Sequence, residues 1–189
     1  MKLFFNLFML IFIIASVQTC KVDEKNPDCT DRYRWDIKTL TDPNAPNVNY
    51  TTIYTTISTL ISTTAPIVSS NGTRSGIEFK TYSIKVHIRE YKLSADGDYH
   101  LVLEDIADPN KTMIGEIPDP YCGSVQSSIR INEITQARKN FQNSLLVTAQ
   151  VDNSVYTITG VAFYDKVHGQ IGVAPNGIEI HPILYITRH

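Results

Sequence analysis

The residues best equipped for chemistry gather near the end of the chain. Residues 160–186 read GVAFYDKVHGQIGVAPNGIEIHPILYI, with Asp165 and His168 three positions apart beside Gly169 and Gln170. A histidine that acts as a general base needs a partner to fix its tautomer, and Asp165 is such a partner for His168. That pairing suits hydrolysis of a nuclease type. The plainer reading is a structural loop whose polar side chains bond its own backbone, and it is preferred. Glu179 and His181 lie two apart and share a face of an extended segment, a second acid–base pair. Pro175, Asn176 and Gly177 read as a turn.

Further candidates lie earlier. In residues 79–92, FKTYSIKVHIREYK, clean alternation gives Lys85, His87 and Arg89 one face, and with Tyr91 and Lys92 they make a basic and aromatic stripe. His100 and Glu104 share a face of the next alternating segment, 99–104. Such a stripe could bind an oligonucleotide or a glycan through charge and stacking. Nearby Glu90, Asp96, Asp98, Glu104 and Asp105 offset its charge, so a solvated face is the preferred reading. Imidazoles and carboxylates that converged there would suit a divalent metal, but no HExxH spacing enforces convergence and no CxxC pair exists. No metal site and no cofactor are expected. GxSxG and phosphate-binding glycine patterns are missing from the sequence.

These residues need a frame. Residues 79–92, 99–104 (YHLVLE) and 112–117 (TMIGEI) read as three antiparallel strands, with Asp96-Gly97 as a hairpin turn. Residues 129–146 carry Ile134, Ala137, Phe141 and Leu145 at helical spacing. Residues 145–151 could be partly extended. Strands follow at 155–165 and 178–186, with Gly160 placed to permit a bend. Three strands, a helix and two strands is the order of an OB-fold-like five-stranded Greek-key barrel, a mainly β fold with one helix. A β-sandwich or an open α+β sheet is the alternative. Ahead of it, residues 35–40 (WDIKTL) alternate like an edge strand, 41–52 read as a loop, and 53–64 as a helix.

The stretches DGDYHLVLED (96–105), EIPDPYC (116–122) and, most specifically, HGQIGVAPNGIEIHPIL (168–184) resemble a family of uncharacterised, mostly bacterial exported proteins. The resemblance covers roughly residues 76–186. It brings no activity, so no residue role is carried over from it.

The chain has 189 residues and a formal net charge of −2. Neither a basic excess that would announce nucleic acid nor an acidic excess that would announce disorder is present. Lys2 followed by the apolar run 3–15 reads as a secretory signal peptide over residues 1–19. As a membrane anchor the run falls short of the ~20 residues a spanning helix needs, and no other segment approaches that length. Residues 20–75 then form a tether and irregular extension, and 76–189 the barrel domain. A secreted or periplasmic location follows, with lipid attachment at Cys20 as a variant. In an oxidising compartment the three cysteines should pair, and Cys29 with Cys122 is favoured over Cys20 with Cys29. Asn49, Asn71 and Asn110 begin N-glycosylation triplets. The function expected is an exported, non-catalytic binding module whose ligand is an oligonucleotide, a glycan or an envelope protein. The alternative is a hydrolase using His168 with Asp165, or His181 with Glu179.

Overall fold

The computed structural model describes residues 33–67, 72–148, 153–167 and 169–189. Six strands form one sheet: β1 (Asn49–Thr55), β2 (Lys80–Leu93), β3 (Tyr99–Asp105), β4 (Thr112–Ile117), β5 (Val155–Tyr164) and β6 (Ile178–Arg188). Their order is β1-β2-β3-β4-β6-β5, and β5 pairs back onto β2, so five strands close into a barrel. All barrel pairings are antiparallel except β4 with β6. This is the mainly β, closed five-stranded barrel expected from the strand order, with the segments at 79–92 and 178–186 in one sheet.

β2 is long enough to serve two neighbours on one edge. Residues 86–93 pair with β3, residues 80–84 with the parallel strand β1, and the opposite edge with β5. Alternation drives the closure. Ile84, Val86 and Ile88 of β2, Leu101 and Leu103 of β3, Met113 and Ile117 of β4, Ile158 of β5 and Ile180 of β6 fill one core cluster. The helix α3 (Ile131–Thr148) adds Ala137 and Phe141 to it. Phe141 receives Tyr91 and Tyr99 edge-on, at centroid distances of 5.3 and 5.1 Å. Such T-shaped contacts suit the ring quadrupoles.

A second apolar cluster lies outside the barrel wall. Val161 of β5 and Leu184 of β6 point away from the interior and meet Leu40, Ala45, Val48, Cys122, Val125 and Ile134. β5 and β6 are therefore buried on both faces, and residues 33–48 form a roof over them.

That roof corrects the reading of residues 35–40 as a strand. Trp35–Lys38 form a short helix, α1. Four residues cannot distinguish a period of two from one of 3.6, and tertiary anchors decide. Arg34 is the chief anchor. Its five N–H donors reach both Glu78 carboxylate oxygens (2.7 and 2.8 Å) and the carbonyls of Gly72, Thr73 and Tyr164. Arg74 adds two bonds to Asp42 Oδ2 and one to the Ile37 carbonyl. The loop expected over 41–52 gives way to β1 from Asn49. The helix expected over 53–64 shrinks to α2, Ile57–Ile61. Residues 145–148, expected to be partly extended, belong to α3. Among the described residues no helix is long and apolar enough to cross a membrane.

Candidate functional site

The outer face of the barrel beneath the roof carries charge where apolar side chains would be ordinary. Strand register builds it. His100 lies opposite Glu116 in the β3–β4 ladder. In the parallel β4–β6 ladder Ile114 lies opposite Glu179 and Gly115 opposite Ile180, so the next step brings Glu116 beside His181. Three outward side chains on three adjacent strands thus form a row.

The row is in contact. His100 Nδ1 is 2.6 Å from Glu116 Oε1, and His181 Nδ1 is 3.0 Å from Glu116 Oε2. The first is a hydrogen bond; the second is ion-pair proximity without hydrogen-bond alignment. On its other side His181 Nε2 lies 3.8 Å from Asp98 Oδ2. The Asp119 backbone N–H donates to Asp98 Oδ1 at 2.9 Å and fixes that carboxylate. From the roof, Lys38 Nζ donates to Asp165 Oδ2 at 2.7 Å. Phe163 lies opposite Glu179 in the β5–β6 ladder. Its ring sits edge-on to His181 with a centroid distance of 5.9 Å, and Lys38 Nζ lies over it at 5.1 Å.

Burial sets the charge states. His181 is fully enclosed, which lowers its pKa more than the neighbouring Glu116 raises it. Burial would also raise Glu116, but His181, His100 and Lys38 hold it well below the usual carboxylate range. Glu179 is pushed well above that range by burial and then by Glu116. Asp98 moves the same way, through burial and then Glu116 and Asp96. Burial alone would lower Lys38, yet Glu116, Glu179 and Asp165 raise it above the ordinary lysine value. Charge is thus concentrated on Glu116 and Lys38, and protonation of Asp98 and Glu179 is favoured. Asp98 Oδ2, Glu179 Oε2 and both His181 nitrogens have no hydrogen-bond partner. Asp98, Glu116 and His181 place one candidate ligand atom each within 4.8 Å of the others.

A cleft of about 360 Å³ opens beside His100, lined by Glu90, Tyr91, Lys92, His100, Val102, Gln170 and Ile171. The loop after β5 makes one wall. Gly172 adopts a φ of +83°, and a Cβ there would meet Val102 at 2.4 Å, so the loop lies tight on β3. Asn176 pins the loop's far end through bonds to the carbonyls of Leu60 and Thr63.

The residues singled out from sequence divide. His100, Glu179 and His181 meet at the buried face, and Asp165 joins them through Lys38. His168 lies outside the described residues, as do Cys20 and Cys29; Cys122 is buried in the second apolar cluster. The stripe of Lys85, His87, Arg89, Tyr91 and Lys92 is broken at Tyr91. A β-bulge between Ile88 and Glu90 makes Arg89 the extra residue, and parity reverses beyond it. Tyr91 comes opposite Leu101 and packs on the core, while Glu90 and Lys92 take the outer face with Val102 and His100. Lys85 lies opposite Thr157, His87 contacts the Ser154 carbonyl, and Arg89 pairs with Glu104.

Sequence reasoning missed Lys38, Asp98 and Glu116. Glu116 carried one usable signal: it stands alone as a charge in TMIGEI, just as Glu179 and His181 do in the otherwise apolar text of β6. Comparison with protein families, with curated proteins and with solved structures finds no match.

Proposed function

We propose that this chain is an exported binding module that takes a small polar ligand, of the glycan class, in the cleft beside His100. The observation that carries the reading is the lining of that cleft. Ile171 offers exposed apolar surface, while Glu90, Lys92, His100 and Gln170 offer donors and acceptors of balanced charge. Balance argues against an oligonucleotide, which would need excess positive charge along its path. The export signal over residues 1–19 and a Cys29–Cys122 bridge belong to the same proposal, because an oxidising compartment gives buried Cys122 its natural partner.

The test is a panel of mono- and oligosaccharides titrated calorimetrically against the protein, Lys92→Ala and Gln170→Ala. A bound saccharide whose affinity falls tenfold or more in both variants supports the reading. No binding at millimolar concentration, or binding indifferent to both substitutions, overturns it.

A hydrolase is the second reading, favoured by the His100–Glu116 hydrogen bond at 2.6 Å. A carboxylate on Nδ1 fixes the tautomer and leaves Nε2 as the proton acceptor, and His100 lines the cleft. Release of reducing ends from a cleft-bound oligosaccharide by the wild type, lost in His100→Ala, would select this reading over binding alone.

A further inference from the structure

We propose that Asp98, Glu116 and His181 form a buried site for one divalent transition-metal cation of the zinc class. Three observations converge on it, and they touch the cleft only through His100, whose Nδ1 bonds Glu116.

The first is unmet polarity. Asp98 Oδ2 and His181 Nε2 face each other at 3.8 Å, both in side chains 1% exposed or less, and neither has a hydrogen-bond partner. A buried carboxylate oxygen and imidazole nitrogen left this way each carry a desolvation penalty. A bridging water would relieve part of it; a cation would relieve all of it. Metal bonds of about 2.0–2.2 Å place neighbouring tetrahedral ligands roughly 3.3–3.5 Å apart, so the pair needs to close by only a few tenths of an ångström.

The second is orientation. The Asp119 N–H holds Asp98 Oδ1, which turns Oδ2 toward His181. His100 holds Glu116 Oε1, which leaves Oε2 3.0 Å from His181 Nδ1, and a single nitrogen of that ring lies within 4.8 Å of a ligand oxygen from each carboxylate. Ligands steered by outer hydrogen bonds of this kind are the usual second layer of a metal centre.

The third is charge. Asp98, Glu116 and Glu179 crowd one face, and Lys38, the cation nearest in the roof, is already engaged by Asp165. A dication would sit where oxygens of Asp98 and Glu116 and a nitrogen of His181 lie within 4.8 Å of one another. Glu179 Oε2 has no partner either and stands two residues before His181 on the same face, a candidate for the fourth position. One imidazole with carboxylates suits zinc, manganese, cobalt or nickel; calcium wants six or more oxygens, and copper(I) wants sulfur.

The experiment uses untagged full chain, stripped with a chelator and then titrated calorimetrically with Zn²⁺, Co²⁺, Mn²⁺ and Ca²⁺. One equivalent of a transition metal should bind. Affinity should fall at least 100-fold in Asp98→Asn and in Glu116→Gln, with circular dichroism unchanged, and stay within threefold in the control Asp108→Asn. No stoichiometric binding by folded wild type overturns the proposal, as does binding unaffected by both site variants. Should the variants fail to fold, NMR of the Co²⁺-loaded wild type decides. Paramagnetically shifted His181 resonances support the site; shifts confined to His87, His168 or His189 overturn it. Saccharide binding is read separately, so either proposal can fail alone.

Discussion

Lys38 Nζ lies 2.7 Å from Asp165 Oδ2, joining the roof to the end of β5 above the buried carboxylates. Both side chains are about nine-tenths enclosed. Removing one member of such a pair leaves the other charge buried and unmatched, at about 3–5 kcal/mol. Lys38→Met should therefore lower the urea unfolding free energy by that order, and Asp165→Asn by a similar amount. The double variant should lose clearly less than the sum. Strict additivity in the cycle would mean that the two groups do not interact.

Arg34 should not tolerate even lysine. Its planar fork meets both oxygens of Glu78 and three carbonyls at once, a geometry that an ammonium group cannot reproduce. Arg34→Lys should cost about 3 kcal/mol and raise the rate of proteolysis within residues 33–48. An unfolding midpoint like that of wild type would contradict the anchoring role assigned to it.

Gly160 is required by its neighbours. A Cβ there would sit 2.3 Å from the Pro182 carbonyl oxygen and 2.5 Å from Ile180 Cγ2. The β5–β6 register shifts on either side of it. Gly160→Ala should destabilise by about 1–3 kcal/mol, the ordinary penalty of overpacking, and thermal unfolding would register it as a lower Tm. An unchanged or higher Tm would mean that β6 has room to move away.

Asp105 ties α2 to the end of β3. Burial pushes its pKa up, but the Ala107 N–H and the Ser58 N–H and hydroxyl donate to it and bring it below the usual aspartate value. A depressed folded-state pKa contributes stability above the unfolded value of about 3.9 and loses it as pH falls through the folded value. Wild type should therefore exceed Asp105→Asn in urea midpoint at pH 6, and the gap should narrow below pH 4. A gap that is constant from pH 6 to pH 3 would show that ionisation of Asp105 contributes nothing.

Much of the barrel was legible because its signal is local. Alternation in residues 79–92, 99–104 and 155–165 marks strands wherever they end up, and the spacing of Ile134, Ala137 and Phe141 marks α3. The site was less legible because its signal is not local. His100, Glu179 and His181 drew attention as residue types, but Glu116 reaches them only through the register of two ladders, one of them parallel. Asp98 resembled an ordinary turn residue. A single bulge at Arg89 was enough to send Tyr91 inward, and no pattern in REYK announces it. The roof was hidden for a different reason: Arg34 and Lys38 are buried charges, and the rule that charges stay outside reads them as part of a solvated tether.

The roof also bears on how the chain acquires its shape. Arg34 bonds to the Tyr164 carbonyl across a separation of 130 residues. Residues 33–48 are synthesised before β5 and β6, the surfaces that hold them. Contacts of such long range delay folding, because the intervening loop must close before any reward is collected. Residues 33–48 thus wait for β5 and β6, and the charged face beneath the roof stays open to water until those strands are in place.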